Sequence, residues 1–292
     1  MNPKTELIPT YSICICNFNM SDTLRESLRS IIGQITQEFE IVFVDDGSSD
    51  ESVKIALDLQ AEFPNMRVVA LDRDPSRKLG ETRNESFRLA RGEWCIFHLD
   101  CDDTVGPFII DFVRLVTNLD KGFDRDMLYA GQQIHMAKRS FLLRHGPFQN
   151  IYRGEDRDFY MRLISSSSWI VIKHLRFIKR IPRTKQKMLL KNYLDALDQM
   201  TTYLAENSSY RAYIGASFAS RKIIGSKTLL LRVLLAPTVR RKARNRTPIS
   251  RKGYPTHSEF VNYRTKNTKS ASEWLETVGE NTQLGIDRSI FF

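Results

Sequence analysis

The chain has 292 residues, 41% of them hydrophobic and 10% aromatic, enough for one large domain, or a domain with an appendage, around a substantial core. Its net charge of +10 is uneven: residues 1–180 carry 24 Lys/Arg against 26 Asp/Glu, and residues 181–292 carry 20 against 8, so the positive excess points to an anionic partner for the last third. Four cysteines without C-x-x-C spacing and five scattered histidines argue against a zinc site.

Tyr11-Ser12-Ile13-Cys14-Ile15-Cys16 is a short, apolar-leaning run, the pattern of a strand buried on both faces. Ser21 or Asp22 can cap a helix on which Leu24, Leu28, Ile31, Ile32 and Ile35 recur at helical spacing. Phe39 to Val44 is a second strand, ending in Asp45-Asp46-Gly47-Ser48-Ser49-Asp50. A helix over about 50–62 closes at Pro64, and Arg67 to Leu71 reads as strand three. A helix over about 80–91 is ended by Gly92. Strand four, about 93–99, runs directly into Asp100-Cys101-Asp102-Asp103.

This alternation with short connections predicts an α/β fold with a doubly wound, mainly parallel, Rossmann-like sheet. Right-handed crossovers bring both acidic clusters to one rim, at the carboxyl ends of strands, where such sheets bind ligands. Past residue 105 the pattern loosens. Helices are expected at Phe108–Leu119, from Gly154-Glu155-Asp156-Arg157-Asp158 onward, and over 183–206; strands are expected at Met127–Gly131 and Trp169–Ile172. The expected organisation is an α/β domain at 1–180, a helical basic extension at 181–252, and a polar, weakly structured tail at 253–292. Cys14, Cys16 and Cys95 read as strand residues of a reduced protein. Met1–Thr10 shows no charged-then-apolar leader pattern, and no apolar run approaches the ~20 residues that span a bilayer. The expected location is cytoplasmic.

Three carboxylates within four residues repel one another, and a divalent metal with oxygen ligands relieves them. One or two carboxylates plus substrate phosphates suit Mn2+ or Mg2+; the competing reading is a helix N-cap. Asp45-Asp46-Gly47-Ser48 reads as carboxylates for a base or ribose, or as an Asx-turn. Lys78-Leu79-Gly80-x-x-Arg83-Asn84 sets a cation and an amide on a first helical turn, suited to phosphate oxygens, or is an ordinary surface arginine. Glu155-Asp156 can offer a carboxylate to an acceptor hydroxyl, or only offset the helix dipole.

The order is Ser12-Ile13-x-Ile15-x-Asn17-Phe18-Asn19, then Val44-Asp45-Asp46-Gly47-Ser48, Gly80-x-x-Arg83-Asn84, Arg91-Gly92-Glu93-Trp94, Leu99-Asp100-x-Asp102-Asp103 and Gly154-Glu155-Asp156. Over roughly residues 9–165 it resembles the family 2 glycosyltransferases with the GT-A fold. The resemblance implies an inverting transfer from a nucleotide-diphospho-sugar to a glycan or lipid-linked acceptor, with Mn2+ or Mg2+ as cofactor. It implies that Asp46, with Asp45 beside it, contacts the base and that Arg83 lies near the diphosphate. Asp102 would be the main metal ligand, Asp100 would join it and face ribose or donor sugar, and Asp156, preceded by Glu155, would be the base. Phe18-Asn19 stands for the usual Tyr-Asn, and Cys16 for a small or hydroxyl residue near the nucleotide base. The Q-x-x-R-W motif of processive members is absent, which favours single-sugar transfer. Two alternatives are a polyprenyl-phosphate glycosyltransferase, whose acceptor needs little base catalysis, and a non-catalytic membrane- or polymer-binding protein on the same scaffold. The intact acidic set argues against the second. The Gly-rich opening loop of nucleotide-sugar pyrophosphorylases is missing.

Between Lys222 and Leu235 an apolar stretch is flanked by cations, and Arg240-Arg241-Lys242-Ala243-Arg244-Asn245-Arg246 follows. Residues 222–252 read either as an interfacial helix on the anionic inner membrane face or as a core helix with a solvated basic tail. They lack the aromatic-interleaved pattern of a nucleic-acid site. Donor and acceptor specificity are expected from the loops around 72–80 and 131–153.

Overall fold

The structure, a computed structural model, describes residues 8–150, 155–182, 197, 210–219, 221–244, 257–280 and 284–292. Strands β1 (Tyr11–Asn17) and β2 (Phe39–Asp45) run parallel in register from Tyr11↔Phe39 to Asn17↔Asp45. Helix α1 (Ser21–Ile32) joins them, and α2 (Ser52–Glu62) leads to β3 (Met66–Ala70). Helix α3 (Leu79–Leu89) crosses to β4 (Trp94–Phe97), on the other side of β1. Every residue of β2 is buried. Successive side chains supply opposite faces: Ile13, Ile15, Ile41 and Phe43 join one core with Leu24 and Leu28 of α1, while Cys14, Val42 and Val44 join the other with Phe87 of α3. Two buried faces explain the absence of polar alternation in these strands.

The chain continues through β5 (Asp103–Val105), α4 (Ile109–Lys121), β6 (Leu128–Ala130), β7 (His135–Lys138), α5 (Arg139–His145), α6 (Glu155–Ile164), β8 (Trp169–Lys173) and β9 (Ile178–Arg180). Helices α7 (Tyr210–Ala219) and α8 (Arg221–Arg244) follow, the latter broken at Gly225 with φ 77. Then come α9 (His257–Lys266), β10 (Thr268–Ser270), α10 (Ala271–Val278) and α11 (Arg288–Phe291). The main sheet has the order β10-β8-β6-β7-β4-β1-β2-β3, with β7 alone antiparallel to its neighbours. The expected mainly parallel α/β architecture is therefore the observed one. Strands β5 and β9 form a separate antiparallel ribbon.

The described residues of the tail expected to be weakly structured, 257–280 and 284–292, are instead part of the domain. Strand β10 pairs in parallel with β8, Tyr263 donates its hydroxyl to the Trp169 carbonyl at 3.0 Å, and Trp274 Nε1 donates to the Val171 carbonyl at 2.9 Å. Phe260, Trp274 and Phe291 are buried. A few aromatic anchors outweigh the polar residues around them, and a Ser270–Glu273 capping box starts α10. Apart from Leu197, which is helical, the helix expected over 183–206 lies outside the described residues.

Candidate active site

The carboxyl ends of β1, β2 and β4 form one rim, and each delivers polar residues to it. At the end of β2, Asp45 is fully buried and its oxygens are spent locally. Asn17 Nδ2 donates to it at 2.7 Å, and Ser48 donates its backbone N–H at 2.7 Å and its hydroxyl at 2.6 Å. Asp45 thus makes the Asx-turn, the other reading of this stretch. Asn19, at φ 53, ties the β1 loop to this turn: its Oδ1 accepts from Ser49 N–H at 2.9 Å. Gly47 has φ 72, and a Cβ there would lie 2.6 Å from Arg73 Cα. That glycine lets the loop close against Arg73; the neighbouring Asp46, itself buried, accepts from Arg77 Nε at 2.5 Å and meets Arg73 Nη1 at 3.5 Å. The Arg73 guanidinium also sits 4.5 Å over the Phe18 ring. Phe18, Arg73, Asp46 and Arg77 form one lip of the rim.

The acidic turn after β4 is held from beneath by α1. Thr23 Oγ1 donates to the Cys101 carbonyl at 2.8 Å and Ser27 Oγ to that of Asp100 at 3.2 Å. Asp100, Asp102 and Asp103 each place a carboxylate oxygen within 4.8 Å of the others. Asp102 and Asp103 are buried and Asp100 is exposed. Asp103 lies in β5, and α4 begins only at Ile109, so the helix-cap reading of Asp103 gives way to a third carboxylate in the cluster. Arg180 of β9 reaches all three: Nη1 pairs with Asp102, Nη2 with Asp100 at 3.4 Å, and Nε with Asp103 at 3.1 Å. Three converging hard oxygen donors, already drawing a cation from the chain itself, fit a divalent metal such as Mn2+ or Mg2+.

Arg83 links this turn to α6. It lies on the second turn of α3, not the first, because the helix begins at Leu79. Its Nη2 is 3.4 Å from Glu155 Oε1, and its guanidinium lies 5.7 Å from the centre of the Phe148 ring. Burial opposes its charge, yet Glu155, then Cys16, Asp100 and Asp156, hold its pKa above the usual arginine value. The Arg83 Nε is buried without a hydrogen-bond partner. Cys16 lies beside it; burial pushes this thiol up to about 12 against the pull of Arg83, so it is a neutral wall. Glu155 is buried, whereas Asp156 is partly exposed and accepts the backbone N–H of Arg157 at 2.7 Å. Asn84, expected near phosphate with Arg83, is committed elsewhere: its side-chain amide donates to the Phe148 carbonyl at 2.9 Å and accepts from Phe148 N–H at 2.7 Å.

Residues that sequence reasoning passed over complete the rim. His98, in the left-handed region at φ 70, stacks on His135 with ring centres 4.3 Å apart, and His135 Nε2 hydrogen-bonds Tyr160 of α6. Burial, then Arg83, pushes His98 well below the usual histidine range; burial takes His135 down to about 3. Both rings are neutral and connect the end of β4 to the helix carrying Asp156. The signal for Arg180 was indirect: three crowded carboxylates demand a cation, without saying which one.

Residues 12–161 match the family described as glycosyl transferase family 2, just over half of the chain. This chain belongs to the family 2 glycosyltransferases. It is similar to the succinoglycan biosynthesis protein ExoO of Rhizobium meliloti, 37% identical over 108 residues, which are 37% of this chain and 30% of that protein. The chain thus matches less than a third of that relative's length. Its structure resembles S. aureus TarS 1-349 in complex with UDP-GlcNAc, with TM-score 0.53 and 14% identity over 97% of this chain and 99% of that one. It also resembles the mannosyltransferase PcManGT of Pyrobaculum calidifontis in complex with GDP-Man and Mn2+, with TM-score 0.53 and 14% identity over 89% of this chain and 87% of that one. At these identities the likeness establishes a shared GT-A fold.

Proposed function

We propose that this glycosyltransferase moves a single sugar from a nucleotide-diphospho-sugar to a hydroxyl of a glycan or lipid-linked acceptor, with inversion at the anomeric carbon. The observation that carries this is the joining of two acidic groups on one rim through Arg83: the carboxylate cluster at 100–103 and the Glu155-Asp156 pair. A diphosphate leaving group needs cations, and an acceptor hydroxyl needs a base.

Asp102 and Asp100, with Asp103, would hold Mn2+ or Mg2+, which supplies Lewis-acid stabilisation of the departing diphosphate. The mannosyltransferase structure with GDP-Man and Mn2+ supports that assignment by its fold. Arg83, buried and charged, offers its unpartnered Nε to phosphate oxygens. Asp46 and the two arginines facing it would read the base. Asp156, less buried than Glu155, would take the acceptor proton as the oxocarbenium-like transition state develops. Glu155 holds Arg83 in position, and the neutral Cys16 lines the floor without adding charge.

Replacing Asp156→Asn is expected to lower transfer by about 10²- to 10⁴-fold while nucleotide binding is retained. Turnover with a panel of UDP-, GDP- and dTDP-sugars, beside calorimetric nucleotide affinity, measures both. Wild-type turnover in that variant would remove Asp156 from the base role and shift the reading to a phosphate acceptor. Absence of any metal-dependent nucleotide binding would overturn the enzyme reading.

The expected membrane partner also gains a specific observation. Along α8, Lys227, Leu230, Leu234, Pro237 and Arg241 recur at helical spacing and are all exposed. A solvent-facing apolar stripe with cations at both ends suits the anionic surface on which a lipid-linked acceptor would sit. Among the described residues, no helix is long and apolar enough to cross a membrane.

A further inference from the structure

We propose that Arg180 is a built-in counter-cation that competes with the divalent metal for the acidic cluster, so that metal binding is an exchange. The inference rests on the metal reading above. One guanidinium meets three carboxylates with three different nitrogens: Nη1 on Asp102, Nη2 on Asp100 at 3.4 Å and Nε on Asp103 at 3.1 Å. A planar fork of five N–H donors can spread itself in this way, whereas an ammonium point charge cannot.

The backbone directs it there. Arg180 pairs directly with Asp103 in the β5–β9 ribbon, and the next residue, Ile181, donates its N–H to the Asp102 carbonyl at 2.8 Å. The ribbon lies outside the main sheet, anchored in the core by Val105 and Ile178, and carries Arg180 to the turn.

The partners differ in freedom. The side chains of Asp102 and Asp103 are 4% exposed and fixed in the turn, whereas that of Arg180 is 52% exposed. The arginine can swing into solvent at little packing cost; the carboxylates cannot follow. A divalent ion ligated by Asp102 takes the place of Nη1, and two cations at one oxygen repel. The metal therefore meets a cluster whose charge Arg180 already offsets in part, and its apparent affinity is scaled down to the fraction of time Arg180 is displaced. In the donor-free enzyme this pairs the buried carboxylates with a cation of the chain itself.

The test is titration of the donor-free full chain with Mn2+ by isothermal calorimetry, for wild type, Arg180→Met, Arg180→Lys and Asp102→Asn. Thermal denaturation first confirms that each variant is folded. Removal of the guanidinium in Arg180→Met is expected to tighten Mn2+ binding about five-fold or more. Arg180→Lys, which keeps charge but loses the fork, should fall between it and wild type, and Asp102→Asn should bind weakly. Equal or weaker Mn2+ affinity in Arg180→Met, with Asp102→Asn still impaired, overturns the exchange and leaves the metal site standing. No Mn2+ binding by wild type or Arg180→Met, with or without UDP or GDP, overturns the metal reading and this inference with it.

Discussion

His98 shows how a residue with no motif becomes part of a site. Its left-handed backbone, a conformation that among side-chain-bearing residues Asn, Asp and His adopt most readily, aims the ring at His135. Burial is the first cause that lowers the pKa of both rings, to about 3 for His135, from an ordinary value of 6.5. Above pH 6.5 the folded and unfolded chains hold both rings neutral, and the stability is fully present. As pH falls through 6.5 toward 3, the unfolded chain takes up protons that the fold refuses, and stability is lost. Wild type is therefore expected to lose more thermal stability between pH 7 and pH 5 than the double variant His98→Gln/His135→Gln. Parallel pH slopes in differential scanning calorimetry would show that these rings titrate normally. Nothing near His98 in the sequence announces this. The stacking needs β7 beside β4, and the pairing of Phe97 with His135 spans a separation that periodicity does not see.

At the scale of elements, legibility followed length and local signal. Strands β1 to β3, five to seven residues each, show as apolar runs, and helices α1 and α4 show as clear stripes. Strands β5, β7 and β9 have three or four residues, too few to establish a period, and exist because of distant partners. Helix α3 shows the consequence for the site. Its sequence placed Arg83 on the correct helix but gave Asn84 the wrong partner, because the loop at 146–150 had no legible position. Among the bonds that clamp that loop, Asn84 exchanges hydrogen bonds with Phe148, and Asn150 Oδ1 accepts from the Lys78 N–H at 2.8 Å. Gly80 has no side chain because a Cβ would run into the Gln149 carbonyl. Asn84→Ala leaves the Phe148 N–H and carbonyl buried and unpaired, at about 1–3 kcal/mol for each unmet group. A loss of about 2–6 kcal/mol in urea denaturation is expected. The variant should also bind donor more weakly, since Phe148 packs beneath Arg83. A change within 0.5 kcal/mol, the ordinary range of a surface substitution, would mean that the loop is held by other contacts.

Across the whole molecule, charge is divided by task. The α/β part is nearly balanced because its cations face its own carboxylates: Arg77 on Asp46, Arg83 on Glu155, Arg180 on the acidic turn. The excess in the last third is concentrated locally, since residues 207–258 contain no Asp or Glu. In α8 that excess meets apolar surface: Leu230 and Leu234 are 60% and 68% exposed, while Ala236 and Val239 on the other side are fully buried. The two sequence readings of this stretch, core helix and interfacial helix, describe its two faces. Two exposed leucines contribute only a few kcal/mol of burial in a bilayer interface, so anionic lipid must supply the rest, about 1 kcal/mol for each nearby Lys or Arg. Binding is therefore expected to vesicles of phosphatidylcholine with phosphatidylglycerol, not to phosphatidylcholine alone, and to weaken with salt. Leu230→Glu/Leu234→Glu should abolish co-sedimentation and leave transfer to a soluble acceptor unchanged, because neither side chain belongs to the rim. Equal sedimentation of wild type and the double variant would assign the basic charge, not the leucine stripe, as the whole of the attraction. No sedimentation of wild type would remove the membrane partner.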